Sequence, residues 1–189
     1  MHNIEPFWLW RDLYISAEDE RSPLYNRRYN EFEYTNTVYN YVIHPQWDFI
    51  GSSTLYLKII YVDYALSYAI IELMGEWNDC IYNDVMFFKR NIIEPMMQEG
   101  INKFILVGEN IFNFHASDDC YYEEWHEEIE DGWITPIHFR KHVIDEFKSQ
   151  RIHYYINFNE TINALNWRTY QPNQLFCKVE SLIKQNLLP

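Results

Sequence analysis

The chain is short of glycine, cysteine and basic side chains, and each shortage argues against a class of function. Only five glycines occur in 189 residues. Neither a Walker loop nor a Gly-x-Gly-x-x-Gly turn is present, so the Gly-rich cradles that hold nucleotide phosphates are not expected. The three cysteines, Cys80, Cys120 and Cys177, are odd in number, far apart and without Cys-x-x-Cys spacing, which argues against a disulfide framework and for free thiols. Fifteen Lys and Arg stand against 28 Asp and Glu, a net charge of −13. Nucleic-acid binding depends on basic residues releasing phosphate counterions, so no nucleic-acid partner is expected, and an anionic membrane surface is disfavoured for the same reason. No stretch approaches the roughly 18 to 20 uninterrupted apolar residues of a membrane span. The start, Met1-His2-Asn3-Ile4-Glu5-Pro6, puts an acid and a proline where a secretory signal needs a basic and then an apolar run. The expectation is a cytoplasmic protein with no cofactor.

What is present fits an ordinary folded domain, with 48% apolar and 23% charged residues. A chain of this length can bury roughly 70% of its unfolded surface in one domain. Composition does not go on to assign a function. The charge is uneven: −4 over residues 1–50, −3 over 51–108, −9 over 109–131 and +3 over 132–189. Residues 1–50 hold 12 aromatics, among them Phe7, Trp8, Trp10, Tyr14, Trp47 and Tyr29. Each ring can bury ~150–250 Å², so residues 1–52 read as a wrap that belongs to the same fold, or as the seat of a homo-oligomer. A strand over Thr37 to Ile43 is a further expectation.

From Thr54 the period is clearer. Leu55, Leu57 and Ile59 alternate as in a strand, and the run Tyr68 to Met74 follows across a short connection that suits an antiparallel hairpin. Asn78 is expected to cap a helix carrying Val85, Phe88, Ile92 and Met96, kinked at Pro95 and closed by Gly100. Phe104 to Val107 reads as a central strand. Ser117 is expected to cap a second helix with Tyr122, Trp125 and Ile129 as its core stripe, stopped by Gly132. Trp133 to Ile137 reads as a strand in which Pro136 argues for an edge position or a bulge, Phe139 to Phe147 as a helix, and Ile152 to Phe158 as a last strand. Leu175, Val179, Leu182 and Ile183 mark a C-terminal helix. The expected fold is therefore α/β: a mostly parallel or mixed sheet of about five strands over residues 53–158 with helices packed on it, plus the N-terminal extension and a C-terminal helical segment, 159–189.

That order of elements resembles the STAS domains, which include SpoIIAA-like anti-sigma-factor antagonists, over residues 53–158. The resemblance implies a phosphorylatable Ser at the start of the helix after the third strand, within Asp-Ser-x-Gly. Here the stretch reads Ala116-Ser117-Asp118-Asp119, with the Ser but neither the Asp before it nor the Gly. The proline in the fourth strand and the N-terminal 50 residues also depart from the pattern. Ser117 is the candidate phosphosite that the resemblance implies.

Residues 117–131 hold eight acids and no base. Asp118, Glu124, Glu127, Glu128 and Glu130, with Tyr121 as an exposed aromatic anchor, form a candidate surface for a basic protein partner, because a single-signed patch speeds association. Like charges four apart, such as Glu124 and Glu128, should cost the helix ~0.2–0.5 kcal/mol each, so neutralising both is expected to raise stability slightly. Glu123 and His126 have the Glu-x-x-His spacing of di-iron ligands, but those sites need a second such pair and two further Glu. His138 and His142 stand four apart and would share a face on a helix starting there, with Arg140 and Lys141 beside them to repel a cation. The other candidate site lies after Gly108, at the carboxyl end of the central strand, where open α/β sheets place ligands. There Glu109, His115 and Asp119, with Asn110, Asn113, Asp118 and His126, could serve a small hydrolase or metal-dependent enzyme. The bland alternative is a connector pinned by Phe112 and Phe114. The leading reading is a non-catalytic regulatory or protein-interaction module presenting an acidic helix.

Overall fold

The computed structural model describes residues 3–186; Met1, His2 and the last three residues of the C-terminal segment lie outside the described residues. The expected strand over Thr37 to Ile43 is a small hairpin instead, β1 (Thr37–Val38) against β2 (Tyr41–Val42). Its two-residue turn, Tyr39-Asn40, has φ +48° and +65°, the pair of left-handed residues that lets a tight turn follow the strand twist. The main sheet has five strands in the order β3 (Asp48–Phe49), β4 (Leu55–Asp63), β5 (Tyr68–Asn78), β6 (Lys103–His115) and β7 (Trp133–Ile137). Pairs β3–β4 and β4–β5 are antiparallel; β5–β6 and β6–β7 are parallel. The sheet is mixed, and β5, covered on both faces, is buried along its whole length.

Side chains alternate across the sheet, and each set has its own cover. Ala69, Ile71 and Leu73 of β5 with Phe104 and Leu106 of β6 face α1 (Asp84–Phe88), α2 (Glu94–Gln98), α3 (Cys120–Glu128) and α4 (Lys141–Ser149). Tyr68 and Ile70 with Ile105 and Val107 face the other way, onto Phe7, Trp10, Trp167 and the C-terminal helix. That helix is the longest, and α5 (Glu160–Asn163) precedes it as α6 (Pro172–Asn186), with Leu175, Phe176, Val179 and Ile183 buried. The expected stripes hold: Val85, Phe88, Ile92 and Met96 are buried, as are Tyr122, Trp125 and Ile129.

Several local expectations are corrected. The first helix starts at Asp84, not after Asn78, because Asn78 ends β5 and its Oδ1 takes the Ile81 N–H at 3.0 Å in a turn. The bend expected at Pro95 takes the form of a π turn over Lys89–Ile93 just upstream, where Pro95, having no N–H, donates nothing to the carbonyl four residues back, that of Asn91. Gly100, at φ +89°, closes α2 with bonds from Gly100 N–H to Met97 and from Ile101 N–H to Met96, the Schellman arrangement. Asp119, not Ser117, precedes α3, and Asp118 Oδ1 accepts the Cys120 N–H at 3.2 Å. The strand expected to end near Gly108 runs on to His115 through two register shifts. No strand forms over Ile152 to Phe158. Ile152–Tyr154 is a 3-10 turn entered through Arg151 at φ +65°, and it buries Ile152 and Ile156, four apart, while Tyr154 is 68% exposed. Residue Asn157 still touches the sheet, donating its N–H to Ile134 at 2.8 Å along the outer side of β7, beside Pro136 at the edge.

Candidate functional site

Because β5 and β6 are parallel neighbours, their carboxyl ends bring Glu76 to Asp79 beside His115. Asn78 pairs with His115 in register, and the Asp79 N–H donates to the His115 carbonyl at 2.9 Å. Below this end of the sheet, the start of α1 supplies Asp84. Its carboxylate accepts from Ser52 Oγ at 2.5 Å, Thr54 Oγ1 at 2.8 Å and the Asn78 N–H at 2.7 Å. Asp79 accepts from Trp77 Nε1 at 3.1 Å, the Val85 N–H at 2.8 Å and the Tyr122 hydroxyl at 2.5 Å. Burial pushes Asp79 up to about 7 against the pull of its donors, chiefly Tyr122, because desolvation penalises the charged form. Burial raises Asp84 as well, with Ser52, Asn78 and Thr54 opposing. The two carboxylates are fully engaged, and they tie β5, α1 and α3 to one another.

Glu76 is different. It is buried, yet neither carboxylate oxygen has an aligned hydrogen-bond donor. Its ion-pair contact among the described residues is with His115, whose Nε2 lies 2.5 Å from Oε1 while the ring is half exposed, and its charge acts on Asp84 as well. Among the described residues no hydroxyl or thiol is hydrogen-bonded to that ring.

The remaining candidates do not join it. Glu109 lies on the opposite face, accepting from Arg168 at 3.0 and 3.3 Å and from Trp167 Nε1 at 3.3 Å. Asp119 takes the Tyr155 hydroxyl at 3.2 Å. Glu109, His115 and Asp119 therefore occupy three separate environments, and the stretch Gly108 to His115 is strand, not an open loop. His138, at φ +57°, precedes α4 and contacts the Leu165 carbonyl at 2.6 Å, whereas His142 contacts the Phe112 carbonyl at 2.7 Å. They do not share a helix face. The His126 ring lies 6.0 Å from that of Tyr155, tilted 55° to it. Among the described residues, neither pair belongs to a cluster of metal-ligand geometry; the single such cluster is Glu94, Glu124 and Glu128.

A lysine already fills that cluster. Lys89, widened out of the helix by the π turn, has a fully buried side chain, and its Nζ lies 2.8 Å from Glu94, 2.7 Å from Glu128 and 3.3 Å from Glu124. Burial alone would lower Lys89; the hydrogen bonds and charges of Glu128 and Glu94 outweigh it and the net direction is up. Arg90 adds contacts to Glu94 and, at 3.1 Å, to Glu124. Two of the acids read from sequence as a free surface thus bind the helix before it. Tyr121 is corrected in the same way: it is half-buried against the core with Arg90 5.8 Å from its ring, not an exposed anchor. Asp118, Glu127 and Glu130 remain exposed, and Ser117 is exposed ahead of α3.

No protein-family model matches the sequence, and no curated protein matches it. Solved structures do, among them the following two. One, from Thermotoga maritima, is described as a candidate anti-sigma factor antagonist; it is 16% identical over 56% of this chain and 86% of that one, with a TM-score of 0.40. An NMR structure of the same protein aligns at 12% identity over 66% of this chain and 88% of that one, with a TM-score of 0.39. At these identities and TM-scores the likeness carries no argument about fold family, activity or partners. Among the described residues no helix is long and apolar enough to cross a membrane.

The sequence reading missed Ser52, Thr54, Glu76, Asp79 and Asp84 as a group. In the sequence Glu76-Trp77-Asn78-Asp79 follow the apolar run Tyr68 to Met74, and their link to His115 depends on β5 and β6 being neighbours.

Proposed function

We propose that the protein is a non-catalytic regulatory module that captures a basic protein partner on the outer face of α3. The observation that carries this reading is the division of the acids. Glu124 and Glu128 turn inward to Lys89 and Arg90, while Asp118, Glu127, Glu130 and Asp131 are exposed with no cationic partner among the described residues. A surface of one sign, left uncompensated on a chain of net charge −13, attracts an opposite charge in a salt-dependent way. Phosphorylation of Ser117 would add negative charge next to this face and strengthen its pull, without requiring the Asp-Ser-x-Gly pattern. The enzymatic alternative keeps only the Glu76–His115 pair.

A basic amphipathic helical peptide, labelled and mixed with the full chain in stopped flow, tests the reading. Association is expected to slow as salt rises from 50 to 300 mM, and to slow several-fold at 50 mM in Glu127→Gln/Glu130→Gln. Association that ignores both salt and the double substitution refutes an electrostatic capture surface.

A further inference from the structure

The N-terminal segment 3–15 lies over the second face of the sheet by side chains, not by strand pairing. Phe7 and Trp10 are buried against Trp167, with ring centroids 4.7 and 5.7 Å from it, while Trp8, Leu9 and Leu13 face outward, each more than half exposed. No backbone pair joins these residues to the sheet among the described residues. Of the segment's polar ties to later residues, those of Ile4 to Trp47, Glu5 to His44 and Arg11 to Gln46 end within the N-terminal region. The one that reaches the centre of the sheet is the Phe7 N–H, which donates to Glu72 Oε2 at 2.7 Å.

Glu72 sits in the middle of β5, fully buried. Its charged surroundings are unbalanced. Lys58, beside it in register on β4, turns its Nζ away to Asp48 at 3.2 Å. From β6 come Asn110, at 3.4 Å, and the second carboxylate, Glu109. Arg168 lies 3.8 Å from Glu72 but is committed to Glu109 at 3.0 Å. The one basic residue of the segment itself, Arg11, is directed to Gln46. One guanidinium thus serves two carboxylates, and closure of Phe7 over Glu72 seals off the water that would otherwise solvate it.

We propose that residues 3–15 form a proton-tuned strap, closed over a protonated Glu72 and loosened as that carboxyl ionises. The environment agrees: burial pushes Glu72 up to about 7, against the pull of the Phe7 N–H and Arg168, with Glu109 pushing the same way as burial. With the strap open, Glu72 regains water and moves back toward an ordinary carboxylate. The closed state therefore binds the proton more tightly. Closure is strongest at low pH, weakens as pH rises from the ordinary carboxylate range to about 7, and is level above that. Between pH 5 and pH 8 the opening equilibrium should rise roughly 100-fold.

Amide hydrogen exchange on the intact chain at pH 5 to 8, corrected for intrinsic rates, tests this at two positions. The Phe7 amide is expected to be far less protected than Leu106 at the centre of β6 at every pH, which marks local opening, and its protection should fall roughly 100-fold from pH 5 to 8. In Glu72→Gln that fall should vanish at Phe7, whereas any decline at Leu106 caused by Asp79 should persist. Equal protection at the two amides, or an unchanged Phe7 pH dependence in Glu72→Gln, overturns the strap. If the variant does not fold, the carbon-13 shift of the Glu72 carboxyl in the unaltered chain decides. A midpoint near 7 that tracks the loss of Phe7 protection supports the proposal, and one in the ordinary carboxylate range overturns it.

Discussion

Replacing Glu124 and Glu128 together by Gln reverses in sign between the sequence and the structure, which makes it an informative perturbation. Taken as a solvated face, the pair should gain ~0.2–0.5 kcal/mol from relief of like charge. The structure adds Lys89, whose side chain is 0% exposed and whose ammonium would keep one carboxylate, Glu94, already shared with Arg90. A hydrogen bond to a charged acceptor is worth about 1 kcal/mol more than a neutral one. Lys89 loses its charged acceptor at Glu128 and Arg90 its own at Glu124, but Glu124 and Glu128 are 37% and 38% exposed, so solvent screening cuts the sum to ~1–1.5 kcal/mol. After the relief of repulsion, a net loss of about 1 kcal/mol remains, or roughly 2–4 °C in Tm for a domain of this size. Urea denaturation followed by tryptophan fluorescence measures it. Glu127→Gln/Glu130→Gln is the control, expected within about 0.5 kcal/mol of the parent because those acids have no cationic partner. A Glu124→Gln/Glu128→Gln chain as stable as the parent would refute the claim that Lys89 depends on these carboxylates.

Two further outcomes follow from buried groups. Asp79 is held at about 7 in the fold and is an ordinary carboxylate when unfolded, so the folded state binds the proton more tightly; its contribution is full below the ordinary carboxylate value and is lost as pH rises to about 7. Asp79→Asn should lessen the decline in urea midpoint between pH 5 and 8 while leaving the share due to Glu72, and an unaltered slope would show that Asp79 does not contribute to it. Gly75 has φ +111°, and a Cβ there would lie 2.2 Å from the Thr54 carbonyl oxygen, a backbone atom. Gly75→Ala should cost about 3 kcal/mol or more through strain and displacement of β4, read as a lowered urea midpoint; a cost below about 1 kcal/mol contradicts the close approach.

Where one periodicity dominated, sequence and structure agree: β4, the stripe on α1 and α2, and the Tyr122, Trp125 and Ile129 stripe. Disagreement arises where two readings share the same residues. Gly108, Glu109, Asn110 and Asn113 look like a loop by polarity, yet parallel pairing to β5 holds them in a strand because Ile111 and Phe114 are buried. Ile152, Tyr154, Ile156 and Phe158 alternate like a strand, but Ile152 and Ile156 also stand one helical turn apart, and only the turn spacing matches the burial. The candidate site was legible only as a concentration of acids. Which acids are paired depends on Lys89, 35 residues before Glu124 in the chain and brought to it by tertiary packing. Glu72 gave no signal, since a lone acid in an apolar run looks like a solvent-facing strand position.

The contact between Trp10 and Trp167 also bears on how the chain is made. The two rings lie 5.7 Å apart, joined across most of the sequence. A ribosome adding about 5–20 residues per second releases Phe7 and Trp10 well before Trp167 or α6 exists to receive them. The β4–β5 hairpin, closed by a short turn, can pair while the chain is still growing. Phe7 and Trp10 cannot dock on their final surface until Trp167 and α6 have been made. Throughout that interval their rings stay uncovered, the kind of apolar surface that a holding chaperone binds.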